Sequence, residues 1–511
     1  MKQGIFLGIL IGVFLILIYS PAFSTFLIGD DFDWLDSAYC GWQHPLRLLQ
    51  PIGGFFRPLI KVTYLVDYSR VGPHAFFYNV TNLLFHIINV SLLCMLLFRV
   101  TGRIFSTAIA ALGFAASAFH SEATLWAAGR PDSVLAIFLL LTLLLLSCRW
   151  ERFRVLQHVS ITLLGLCAAC SKESWVLLPV IAITYLWLIK GRPMTEAVLS
   201  ALPLILLLSI YLFYFIGVPI LTTGSFSPPY GAVGFNSIIN KFGYLMFKYV
   251  GAGEFFVGSA WQLIIVSIIL ISIVYRLLMT KNFLALWGAI WMLSFVWVSL
   301  PIYYAASRYN YIPLIGFWVM LTAGLEYELG CLANRFQLRK RFVYGIAISL
   351  FGFYVAHQSI MVRWDIQDYR RYGELHRIVY NMYLSVKSRL PIEQPVIFVN
   401  SGTRRAVTEA RVFFYGYRKL FFSREDAIWQ EVSIDALANF AGEPFIRLLR
   451  PVPGCSIVTT LRTSSTILVF DDSGFSISHS AELQQYVADY YCKNGCLPPK
   501  VEVLRFVSAQ D

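Results

Sequence analysis

The run Gly29-Asp30-Asp31-Phe32-Asp33-Trp34 holds three carboxylates within four residues, almost directly after the first long apolar run, Ile5 to Phe26. Only 14% of the chain is charged and 58% is hydrophobic, so acids are scarce. A carboxylate at a membrane edge can stay ionised yet be poorly solvated, the setting of a catalytic base or a metal ligand. The plainer alternative is a polar collar that stops the helix. Other costly charges follow: Arg57 and Lys61; then His120, Glu122, Arg130 and Asp132; then Lys172 and Glu173; then Arg308. Carboxylates suit deprotonation of an incoming hydroxyl or amine, or binding of a divalent ion. Lysine and arginine suit a phosphate held at the membrane surface. Each group also has a structural alternative. Lys172-Glu173 could cap a helix, and Arg130 with Asp132 could close a tight turn. His120 and Glu122 are too close together to be a strong metal signal, and no further histidine supports them.

The elements that must position these residues are membrane helices. The chain has 511 residues, with 28 Tyr, 41 Phe and 13 Trp, and a mean hydropathy of +0.65. That excludes an ordinary soluble globule. Apolar runs of span length fall at roughly 4–22, 77–98, 104–120, 131–148, 156–171, 174–190, 197–219, 258–279, 283–302, 310–326 and 342–360, which predicts about eleven transmembrane helices. The first of them follows Lys2 and lacks a small-residue cleavage site, so it reads as an uncleaved span. A long first loop, 23–76, includes an amphipathic piece, Phe55–Tyr68, expected to lie in the interface.

The net charge of +12 lies mostly in short connections between spans, which points to membrane topology and away from nucleic acid. Alternate connections are basic: Arg99 and Arg103; Arg149, Arg152 and Arg154; Lys190 and Arg192; Arg276 and Lys281; Arg335 to Arg341. If these face the cytoplasm, every unusual charge named above lies outside. That shared face, more than any single residue, favours a functional site. From Val362 charges become frequent and span-length apolar runs cease. Asp365–Arg389 has helical periodicity, Pro395–Val399 and Thr466–Phe470 read as strands, and Asp471-Asp472-Ser473-Gly474 reads as a turn. The expected organisation is a transmembrane domain, 1–361, and an extracytoplasmic mixed α/β domain, 362–511. Of nine cysteines, Cys492 and Cys496 could pair if their compartment is oxidising.

These residues also carry a resemblance. Asp30-Asp31 is followed by Phe56-Arg57-Pro58-Leu59, then by Tyr78-Asn79-Val80-Thr81-Asn82 with His86 and Asn89. Next come Phe119-His120-Ser121-Glu122 through Arg130-Pro131-Asp132, then Ser171-Lys172-Glu173-Ser174, then Ser307-Arg308-Tyr309-Asn310-Tyr311. In this order the motifs resemble the GT-C superfamily of membrane glycosyltransferases, in the branch related to protein O-mannosyltransferases. The likeness covers residues 1–330 or so. It implies a polytopic α-helical enzyme that moves a sugar from a polyprenyl-phosphate carrier to a protein, lipid or glycan acceptor on the outer face, with inversion. By the resemblance Asp30 and Asp31 are the acidic pair that acts as base or organises the acceptor. Arg57, Lys172 and Arg308 are then candidates for the lipid phosphate, and His120, Glu122, Arg130 and Asp132 match the second-loop pattern. Asp33 has no assured counterpart. A lipid phosphate is already a good leaving group, so no cofactor is required, although Asp30, Asp31 and Asp33 leave room for Mg or Mn. The expected location is a bacterial inner membrane. There are two departures: His120-Ser121 stands where the family often has His-Pro, and the TPR array of some members is absent. A lipid-sugar transporter and a non-catalytic assembly protein are the rival readings. The first should show repeated halves with broken helices, and none is evident.

Overall fold

The computed structural model describes residues 2–28, 30–51, 55–72, 74–148, 154–223, 234–249, 260–302, 306–337, 340–387, 396–400, 446–448, 466–471, 474–478 and 485–486. By internal contacts the chain divides into two units. The first comprises Met1–Ser24, Leu46–Asp67 and Phe76–Tyr369; the second comprises Thr25–Pro45, Tyr68–Ala75 and Arg370–Asp511.

The first unit is helical. It is built from α1 (Lys2–Tyr19), α3 (Pro58–Val71), α4 (Ala75–Thr101), α5 (Ile104–Ala116), the single turn α6 (Glu122–Leu125) and α7 (Arg130–Leu146). Then come α8 (Arg154–Ala169), α9 (Leu178–Thr184), α10 (Met194–Ser200), α11 (Leu202–Leu212) and α12 (Val218–Thr223). The last are α13 (Phe235–Tyr249), α14 (Ala260–Met279), α15 (Phe283–Ser299), α16 (Tyr311–Arg335) and, as far as Tyr369, α17 (Lys340–Lys387); α2 (Asp31–Gln43) belongs to the second unit. Seven helical stretches are long and apolar enough to cross a membrane, and four shorter apolar helices, Ile104–Ala116, Val155–Ala169, Glu173–Ile189 and Phe283–Ser299, fall at the remaining expected places. The chain is thus an integral, multi-pass membrane protein.

Two features make this bundle specific. The first is the α15–α16 contact. A Cβ on Gly288 would lie 2.5 Å from the Met320 nitrogen, and one on Gly316 would lie 2.6 Å from the Gly288 oxygen. Only glycine lets the two backbones come this close, and the Trp291 indole N–H seals the contact by donating to the Ile312 carbonyl at 2.9 Å. The second is a polar stripe on α4. Asn79, Asn82, His86 and Asn89 are spaced three, four and three residues apart, so they share one face, and all four are buried. Each finds a partner on another segment. Asn79 donates to Ala22 O (3.1 Å), Asn82 to Trp126 O (2.7 Å) and Asn89 to Ser133 O (2.7 Å). His86 Nδ1 meets the Tyr311 hydroxyl at 2.7 Å. Lipid offers no hydrogen bonds, so this stripe has to face protein, and it sets the rotation of α4.

In the second unit, α2 starts at the acid run. A sheet of four strands has the order β2-β1-β3-β4: β1 (Val396–Asn400), β2 (Ile446–Leu448), β3 (Thr466–Asp471) and β4 (Gly474–Ser478). β1 runs parallel to β3, and the other two pairings are antiparallel. Asp471 pairs with Gly474, at the place where the sequence has its turn signal. The sheet joins the two β-rich runs of the sequence, but most of the expected α/β domain, including Cys492 and Cys496, lies outside the described residues. The composition change at Val362 falls within α17, which runs without a break to Lys387.

Candidate functional site

The acid run turns out to begin a helix. α1 ends at Tyr19, a short turn spans Ser20–Ser24, and Asp30 then accepts the first backbone bond of α2, from Trp34 N–H at 3.2 Å. Asp31 sits in the first turn, and its Oδ2 accepts from the Ile28 N–H at 2.8 Å. Acids at a helix N-terminus satisfy free N–H groups and oppose the backbone dipole, so local structure accounts for part of the cluster. The two carboxylates differ: Asp31 is buried and Asp30 is exposed. The Asp33 side chain lies outside the described residues. Among the described residues, no group of three or more His, Cys, Asp or Glu side chains is placed to hold a metal ion.

In the first unit the charges named from the sequence come together, with partners other than their sequence neighbours. Lys172 does not pair with Glu173. Its ammonium donates to Asp132 Oδ2 at 2.5 Å, and both side chains are at most 10% exposed. Glu173 instead takes Arg57 in a two-pronged pair, Nε to Oε1 at 2.9 Å and Nη2 to Oε2 at 2.6 Å. Arg130 does not pair with Asp132. Its guanidinium donates to Asp67 Oδ2 (2.9 Å), Thr63 Oγ1 (3.2 Å) and Asn82 Oδ1 (3.0 Å), and it stacks 4.0 Å from the Tyr64 ring centre. Arg308 pairs with Glu122 through both its guanidinium and its backbone N–H. Long-range pairings therefore take the place of the short-range ones that spacing left open as structural alternatives. Residues two apart on a turn point away from each other, whereas each segment end presents its charge to the next segment.

Three of these pairs form one electrostatic unit. Arg57 and Arg308 are close enough to act on both Asp132 and Lys172. Burial pulls Lys172 below the usual lysine range; the Asp132 carboxylate opposes this, and Arg57 and Arg308 add to the depression. The Tyr309 ring lies under both cations, 4.7 Å from Lys172 Nζ and 5.0 Å from the Arg308 guanidinium. The chain folds this way locally because of Gly129. A Cβ there would stand 2.4 Å from the Glu122 carbonyl oxygen, so glycine alone lets the Ala127–Gly129 turn press onto α6 and aim Glu122 at Arg308. The Lys172 backbone is extended (φ −161°), which turns its side chain toward α7 just before the next helical turn begins.

His120 takes no part in that unit. Its Nε2 lies 2.8 Å from Phe114 O, and its ring packs 4.9 Å from Tyr311 and 5.0 Å from Phe114. Burial lowers its pKa to about 4, so it is neutral at physiological pH. The four second-loop residues are thus divided: Glu122 and Asp132 hold cations of the site, Arg130 anchors α3 and α4, and His120 is core. Lys61 is engaged by the carbonyls of Arg47 and Gln50.

Several members of the neighbourhood carry no sequence signature. Asp67 and Asp365 are two: Asp365 accepts from Ser121 at 2.5 Å. Lys248, on the amphipathic α13, senses Asp365 and Glu122, and burial lowers its pKa.

The fold is similar to that of ArnT from Cupriavidus metallidurans. Its apo structure matches with a TM-score of 0.53 at 12% identity, over 90% of this chain and 92% of that one. The structure of the same protein bound to undecaprenyl phosphate matches with a TM-score of 0.52 at 11% identity, over 91% and 93%. No protein-family model and no curated protein sequence matches the chain. The chain is therefore a multi-pass membrane protein whose fold is similar to that of ArnT.

Proposed function

We propose that the protein is a glycosyltransferase that moves a sugar from a polyprenyl-phosphate carrier to an acceptor at the outer face of a bacterial inner membrane. The observation that carries this reading is the electrostatic unit Arg57–Glu173, Lys172–Asp132 and Arg308–Glu122, set within a GT-C fold. Three cations held in place by carboxylates are preorganised donors. They need little rearrangement when a phosphate arrives, and they act where water is scarce. The structurally similar ArnT binds undecaprenyl phosphate in its crystal, which supports a carrier of that chemical class.

The reaction would be a single displacement. The acceptor oxygen attacks the anomeric carbon from the face opposite the phosphate. The bond from that carbon to the phosphate oxygen breaks, and the carrier phosphate leaves with the electron pair. Arg57, Lys172 and Arg308 hold the charge that develops on it. The acceptor proton passes to the acid pair; we assign that step to the exposed Asp30 and assign Asp31, latched to Ile28 N–H, to holding the loop. No step needs a metal. The charge asymmetry of the connections supports placing the cation cluster outside.

Binding of undecaprenyl phosphate to the purified protein tests the cation assignment. Arg308→Gln with Glu122→Gln neutralises both sides of one pair, so no buried charge is left alone. Affinity should fall about tenfold, the worth of one charge-assisted contact. Unchanged affinity in the double variant would remove Arg308 from the phosphate site.

A further inference from the structure

A cavity of about 560 Å³ lies at the other ends of α4 and α16, far along both helices from Tyr78 and Tyr311. Its wall includes Thr101, Arg103, Lys281, Glu326 and Tyr344. Three of these are charged, and Glu326 is already engaged on both oxygens. Arg103 donates to Oε1, and the Ser106 hydroxyl donates to Oε2 at 2.6 Å. Lys281 is exposed and hydrogen-bonds to no described residue through its side chain, so the cavity carries a net positive charge.

The position of Lys281 is unusual. Its φ is 52°, the left-handed region that glycine favours after a helix, here after α14. The chain accepts strain there and gains an ammonium group at the cavity. The next residues, Asn282, Phe283 and Leu284, start α15 and also line the wall, which brings the positive end of that helix's dipole to the same place. Beside the cavity a crevice of about 20 Å³ shares Thr101, Ala323 and Glu326 with it. Thr322 lines that crevice. It is 8% exposed, and its buried hydroxyl has no hydrogen-bond partner among the described residues. The crevice has room for one water, enough to link that hydroxyl to the cavity.

The surroundings select among phosphate-bearing ligands. Phe105, Phe283 and Tyr327 are large and at least 41% exposed at this end of the bundle, as side chains facing lipid would be. The basic connections Arg99–Arg103 and Arg276–Lys281 fall at these helix ends, the first at the end of α4 and the second at the end of α14. A free phosphate needs neither the apolar flank nor this volume.

We infer that this cavity, with Arg103, Lys281 and the start of α15 around it, binds the phosphate of an anionic phospholipid at the cytoplasmic ends of the spans. The inference does not rest on the transfer reaction, and its test does not measure transfer. The full chain would be purified, exchanged into mixed phosphatidylglycerol and phosphatidylcholine, and its retained lipids counted by native mass spectrometry. Wild type should retain phosphatidylglycerol in preference. Lys281→Gln, an exposed change that leaves the Arg103–Glu326 pair intact, should cut that preference about fivefold, the worth of one lysine at an anionic surface. Thr322→Val, nearly isosteric, should weaken retention too. Equal retention of the two lipids by wild type would overturn the proposal, as would an unchanged preference in Lys281→Gln. Displacement of phosphatidylglycerol by millimolar inorganic phosphate would assign the site to a soluble anion and overturn the lipid.

Discussion

Lys172 offers the sharpest separation of structure from chemistry. Its ammonium and Asp132 stand 2.5 Å apart, almost fully buried, with Arg57 and Arg308 acting on both. Replacing Lys172 by Met leaves Asp132 charged and without its direct partner. Breaking a buried pair from one side costs about 3–5 kcal/mol, whereas replacing both partners by neutral groups of similar size is close to neutral. Lys172→Met alone should therefore lower thermal stability strongly. Lys172→Met with Asp132→Asn should recover most of it. Transfer should not recover. If Lys172 stabilises the leaving phosphate, its loss removes roughly 10²–10³ in rate whether or not the protein is stable. The assay pairs a melting curve in detergent with single-turnover sugar transfer in proteoliposomes for wild type, single and double variants. Full transfer by the double variant would refute the reasoning and make the pair purely structural.

Three further outcomes follow from the same geometry. The folded protein holds His120 neutral with a pKa of about 4, against 6.5 unfolded, so the unfolded chain binds the extra proton first as pH falls. His120 alone should contribute a decline of about 3 kcal/mol between pH 6.5 and 4, and His120→Gln should lessen the slope of a pH–denaturation curve there by about that amount. Gly129→Ala puts a Cβ 2.4 Å from the Glu122 carbonyl; a loss of about 1–3 kcal/mol in unfolding free energy is expected, with weaker undecaprenyl phosphate binding as Glu122 and Arg308 shift. Lys248→Met should leave the melting temperature nearly unchanged, because its ammonium hydrogen-bonds to no described residue, while donor KM rises about tenfold if that charge attracts the carrier phosphate.

The helices were legible because lipid imposes a simple rule: an apolar run of span length has few alternatives. Even the four shorter apolar helices fall where the runs predicted. The polar stripe Asn79, Asn82, His86 and Asn89 was visible as a motif, but its role was not, since its partners lie in other segments. The same limit governed the ion pairs. Lys172 beside Glu173, and Arg130 beside Asp132, suggested neighbours bonding to each other, yet short turns splay adjacent side chains and send them to distant partners. Charge identity could be read from spacing; pairing could not, because it depends on how helices rotate. His120 shows the converse. It sits in the motif that also holds Glu122, but its ring is pinned among Phe114 and Tyr311 and stays neutral.

In the proposed function this chain releases a polyprenyl phosphate as it transfers a sugar. The direct measurement supplies purified protein in proteoliposomes with a panel of undecaprenyl-phosphate-linked sugars and a membrane-derived acceptor pool, and quantifies free undecaprenyl phosphate by mass spectrometry. Wild type should release it from at least one donor, Asp30→Asn should release none above background, and Asp31→Asn should release less in proportion to its lost stability. Release by Asp30→Asn at the wild-type rate, or no release from any donor by folded wild-type protein, would contradict the proposed function.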